Sequence, residues 1–71
     1  MGIYHVILSN GDTVRVPTDK ARSRYEYISD YGLQAVLERA KRTRAYKTAV
    51  EADDATIKVI VLPTGEEVTQ F

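Results

Sequence analysis

The sequence predicts an α+β domain: a small, mainly antiparallel sheet in ββ-α-βββ order, with one kinked or two short helices packed on one face. Three observations carry this. Apolar and polar residues alternate about a glycine-bearing turn over residues 3–16, and a similar arrangement returns over 57–71. Between them the apolar period lengthens from two residues to about 3.6, the spacing of a helix. The 71 residues are read as a single compact domain, 1–71, with no cysteine to staple it.

The first hairpin runs Ile3-Tyr-His-Val-Ile-Leu-Ser, Asn10-Gly11, Asp12-Thr-Val-Arg-Val16. Asn-Gly between β-formers is a strong hairpin signal, because both residues tolerate positive φ. Two registers compete. A two-residue loop pairs Ile7 with Val14 and His5 with Val16. A three-residue loop with Gly11 at the bulge position pairs Val6 with Val14 and Tyr4 with Val16. The second gathers Tyr4, Val6, Leu8, Val14 and Val16 on one face and leaves His5, Thr13 and Arg15 on the other. It is preferred, since a one-residue slip would reverse the exposure of a whole strand. Pro17 ends the second strand.

The last hairpin is Ile57-Lys-Val-Ile-Val-Leu62, Pro63-Thr-Gly65, Glu66-Glu-Val-Thr-Gln-Phe71. Pro63 presets a turn and Gly65 supplies its left-handed position. At an offset of 54, Val6–Val14 lies over Ile60–Val68 with matching residue types. Two hairpins with one turn type need similar residues, and that reading is preferred over a duplication.

Between the hairpins, Leu33, Val36, Leu37 and Ala40 fall at i, i+3, i+4 and i+7, the stripe of a helix packed on a core. Glu38 and Arg42 can pair on its outer side. An earlier turn or two is predicted over 20–31, where Ser23 and Glu26 fit a capping box, and Gly32 is expected to break the run. After Ala45 alternation returns in Tyr46, Thr48 and Val50, so residues 46–51 are read as a further strand. Asp53-Asp54 then turns into the last hairpin. Two topologies fit. One is a C-terminal three-stranded meander that joins the first hairpin around the helix. The other is a β-grasp arrangement like that of ubiquitin, with parallel pairing between the two hairpins.

The sequence points away from catalysis. A nucleophile needs a base within reach and a group to orient that base, and His5 is the only imidazole. No enzyme, cofactor or metal site is expected. The opening apolar run reads as a strand, not a signal peptide, and no run approaches the ~20 residues of a membrane span. A cytoplasmic protein without membrane partners is therefore expected.

The charge pattern is more informative. Net charge is zero, yet residues 13–48 hold nine Lys/Arg against four Asp/Glu, and residues 49–71 one Lys against five Asp/Glu. The basic run 39–47 supplies the first candidate surface: Arg39, Arg42 and Tyr46 on one helix face, with Lys41, Arg44 and Lys47 beside them. Arg44 falls near the apolar stripe, so the helix is expected to fray there. Tyr27 and Tyr31 form a second candidate surface. The third is an uncovered sheet face holding Ile3, Ile7, Ile57, Val59, Val61 and Phe71, which predicts a homodimer or higher oligomer. The function expected is that of a non-catalytic protein-binding module, an adaptor or inhibitor with a protein partner. Phage and mobile-element accessory proteins are often of this type. The alternative is a nucleic-acid binder using residues 39–47.

Overall fold

The computed structural model describes residues 2–18 and 30–71, with backbone only at 18, 30 and 31. Strands β1 (Gly2–Leu8) and β2 (Thr13–Thr18) are followed by helices α1 (Asp30–Lys41) and α2 (Arg44–Asp53), then strands β3 (Ile57–Val61) and β4 (Glu67–Val68). The fold is α+β. The four strands form one sheet in the order β2-β1-β3-β4, and every neighbouring pair is antiparallel.

The three-residue loop sets the first hairpin. Val6 pairs with Val14 and Tyr4 with Val16. Gly11 donates to the Leu8 carbonyl (3.0 Å) and Leu8 N–H to the Asp12 carbonyl (2.8 Å). Gly11 sits at φ +93°, a backbone conformation open to glycine. The second hairpin repeats these contacts 54 residues on. Gly65 at φ +94° donates to Leu62 (2.8 Å), and Leu62 N–H donates to Glu66 (2.8 Å). The central strands meet with Val6 opposite Ile60. Since those two residues also differ by 54, an approximate two-fold axis through this pair relates one hairpin to the other.

One sheet face is dry. Tyr4, Val6, Leu8, Val14, Val16, Ile60 and Leu62 are buried, and Leu33, Val36, Leu37 and Ala40 of α1 are buried with them. The predicted helical stripe is thus the surface α1 buries against the sheet. Ala49 of α2 and Ala55 complete the core.

Four expectations are corrected. Residues 46–51 are helical, so the described element order is ββααββ and not ββ-α-βββ. Tyr46, Thr48 and Val50 do alternate, but Ala45, Ala49 and Ala52 favour a helix, and Tyr46, Ala49 and Val50 fall at i, i+3, i+4. The two hairpins pair antiparallel through β1 and β3, which removes the β-grasp pairing, and the helix over 46–51 removes the three-stranded meander. The chain breaks at Arg42-Thr43, whereas Gly32 is buried inside α1, so in place of the expected fraying near Arg44 the helix ends at Lys41. With α1 ended, Arg42 leaves the helix face that would have paired it with Glu38. The turn predicted over 20–31, with its capping box and Tyr27, lies outside the described residues except at Asp30 and Tyr31, which open α1.

Candidate functional site

The basic run folds into a corner between two helices. As α1 ends, Arg42 N–H donates to Arg39 (3.2 Å) and Thr43 N–H to Ala40 (3.1 Å), i→i−3 bonds that tighten a last turn. Thr43 then leaves the helical region, at φ −76° and ψ 150°, and becomes the N-cap of α2. Its Oγ1 donates to the Ala40 carbonyl (2.7 Å) and accepts from Tyr46 N–H (3.2 Å). One hydroxyl therefore satisfies an end of each helix. Around this corner Arg42, Arg44, Lys47, Thr48 and Glu51 line an open groove of about 390 Å³. Arg42, Arg44 and Lys47 are exposed. Among the described residues none of the three has a side-chain hydrogen-bond or ion-pair partner.

The electrostatics of α2 run against its stability. Its first turn holds no acid and its last turn no base; instead Arg44 and Lys47 open it while Glu51 and Asp53 close it. A helix N-terminus carries partial positive charge and its C-terminus partial negative charge, so each of these side chains is placed at the unfavourable end. The field at the groove sums three cationic side chains and the helix end, opposed in part by the Glu51 carboxylate of the same lining. About 15 Å away, at ~1.5 Å per residue over ten residues, the acidic end is held by the first hairpin. There Asn10 Nδ2 donates to Asp53 Oδ2 (2.9 Å) and Asp12 Oδ2 (3.0 Å), and Asn10 Oδ1 accepts from Asp12 N–H (2.9 Å). Asp54, at φ +55°, stops α2 by donating its N–H to Val50 (3.0 Å).

The predicted basic edge is thus divided. Arg39 is tied down, its Nη1 donating to the Pro17 carbonyl (3.0 Å) at the end of β2. Tyr46 is partly buried against the core and is not among the residues that line the groove. Lys41 is exposed in the last turn of α1. Arg42, Arg44 and Lys47 remain together, and Thr48 and Glu51 join them unforeseen. The signal for that grouping was Thr43, which caps the helix that brings 44, 47, 48 and 51 to one side. Of the tyrosine surface, Tyr27 lies outside the described residues and Tyr31 has only its backbone described.

The second sheet face is open. Ile3, His5, Ile7, Val59 and Val61 are all partly exposed there. An antiparallel sheet with one wet face ordinarily carries polar residues on it. On the two central strands four of these five are β-branched and apolar, while the edge strands add the exposed Thr13, Arg15, Pro17 and Glu67. Ile57 does not share this face: the register of β1 and β3 slips between Ile7 and Leu8, so Ile57 pairs with the core residue Leu8 and packs inward. Phe71, three residues past β4, is 45% exposed.

Among the described residues no three His, Asp or Glu side chains are grouped to hold a metal ion. No described helix is long and apolar enough to cross a membrane. No protein-family model, curated protein or solved structure matches the chain.

Proposed function

We propose that the protein is a small non-catalytic protein-binding module of the cytoplasm, an adaptor or inhibitor that docks an acidic segment of a partner protein in the groove of Arg42, Arg44 and Lys47. One observation carries this reading: α2 keeps its cations exposed, and unpaired among the described residues, at the helix end where they cost stability. Arginine is enriched among binding hot spots, and its planar fork grips a carboxylate through two hydrogen bonds. The competing nucleic-acid reading needs an aromatic platform beside the cations, and Tyr46 is packed on the core instead. A net charge of zero also favours a local contact over a phosphate track.

The test is a photo-cross-linking residue at Thr48, introduced in the native host, followed by mass spectrometry. An acidic protein segment is expected, with capture lost in Arg42→Glu and Arg44→Glu and weakened by salt. Capture that ignores both substitutions would remove the groove as the docking site. Binding of RNA or DNA at low salt, abolished by the same substitutions, would instead establish the nucleic-acid reading.

A further inference from the structure

A single cross-strand row on the open sheet face is electrically self-complementary. Arg15 on β2 pairs with His5 on β1, His5 with Val61 on β3, and Val61 with Glu67 on β4. Directly paired residues of antiparallel strands point to the same face. The row therefore begins with a cation at one sheet edge and ends with an anion at the other. Three strand spacings separate them, roughly 14 Å at ~4.8 Å each. Both side chains are exposed, and neither has a hydrogen-bond or ion-pair partner among the described residues. Between and beside them lie the partly exposed apolar residues Ile3, Ile7, Val59 and Val61.

We infer that this face is covered by a second copy of the chain, related by a two-fold axis parallel to the strands. That operation exchanges left and right edges, so each Arg15 lies over the partner's Glu67 and the apolar residues meet between the two ion pairs. A two-fold along the row would set Arg15 on Arg15 and Glu67 on Glu67, and like-charge repulsion excludes it. Two sheets packed face to face with nearly aligned strands make a sandwich about 10 Å thick. The result is an isologous dimer with a dry centre and a charged rim. It uses none of the groove residues Arg42, Arg44 and Lys47, so self-association and partner docking fail separately.

Sedimentation velocity over a concentration series tests the arrangement. The unaltered chain is expected to dimerise. Arg15→Glu and Glu67→Arg should each weaken the dimer by about tenfold or more, because each sets like charges against one another twice per dimer. An equimolar mixture of the two variants should assemble again, as a heterodimer, since both rim pairs are then of opposite sign. Arg15→Gln and Glu67→Gln, which leave a neutral side chain, should weaken assembly less, and mixing them should restore it in part, because the heterodimer keeps one Arg15–Glu67 pair. Circular dichroism confirms that each variant stays folded, and the glutamine pair carries the test if a charge reversal disturbs an edge strand. A chain that remains monomeric at every concentration overturns the inference, as does a dimer indifferent to all four substitutions. A dimer weakened by both reversals but not restored by mixing overturns the strand-parallel axis.

Discussion

Glycine and threonine each occupy a position in this chain whose cost of replacement can be argued from one torsion angle or one atom. Gly11 and Gly65 hold φ near +93° and +94°, and a Cβ at either would meet nothing within 4 Å. Replacement by alanine therefore costs backbone strain alone, about 1–2 kcal/mol each. The two turns close strands that run antiparallel, so they lie at opposite ends of the sheet. Their effects should add within about 0.5 kcal/mol in urea denaturation of Gly11→Ala, Gly65→Ala and the double variant. Thr43→Ala removes a bond at each helix end and should cost about 1–2 kcal/mol, with Thr43→Ser recovering most of it in the same assay. Sequence signalled the glycines clearly, because Asn10-Gly11 and Pro63-Thr64-Gly65 are local turn chemistry. It hid the tie from Arg39 to the Pro17 carbonyl, which joins elements 22 residues apart and leaves no local trace.

At the scale of the element, α2 carries its charged side chains at the ends where the helix dipole disfavours them. Arg44 stands at the first helical position, where a carboxylate would interact well with the helix end and with Lys47 at i+3. Arg44→Glu should thus raise stability by about 0.3–1 kcal/mol at low salt, less as salt is added, while abolishing capture of the acidic partner. A fall in stability with unchanged capture would mean that the cation serves the fold. The same helix marks where sequence reading failed. Tyr46, Thr48 and Val50 are β-formers at alternate positions, and over so short a run that alternation outweighed three alanines and the cap at Thr43. The register slip beside Leu8 was equally hidden, and it moves Ile57 from the open face to the core. Periodicity of apolar side chains fixed β1, β2 and α1 because each has a single buried face. It gave little guidance in β3, whose two faces are both apolar.

The whole molecule is organised about the contact of β1 with β3, where Val6 and Ile60 face one another and both are fully buried. Hairpin formation is local, but the join between hairpins is not; it brings residues 54 apart into register, and no short-range signal encodes it. The offset of 54 between Val6–Val14 and Ile60–Val68 was legible in the sequence, and the structure gives it a physical meaning as two like hairpins set back to back. Because the join holds the sheet together, substitutions at its centre should behave unlike those at the turns. A domain of 71 residues is stable by roughly 4–10 kcal/mol on a scale of ~0.05–0.15 kcal/mol per residue. Ile60→Ala, at about 2–5 kcal/mol, should consume much of that, whereas Ile60→Val should cost about 0.5–1.5 kcal/mol and leave the chain folded. Val6→Ala is expected to be coupled to Ile60→Val by at least about 0.5 kcal/mol, since the two side chains pack against one another across the join. The measurement is a double-mutant cycle in urea, run beside the glycine pair. Additivity at Val6 and Ile60 as clean as that of the turns would mean that the hairpins are joined elsewhere, through α1 and not through the central strands.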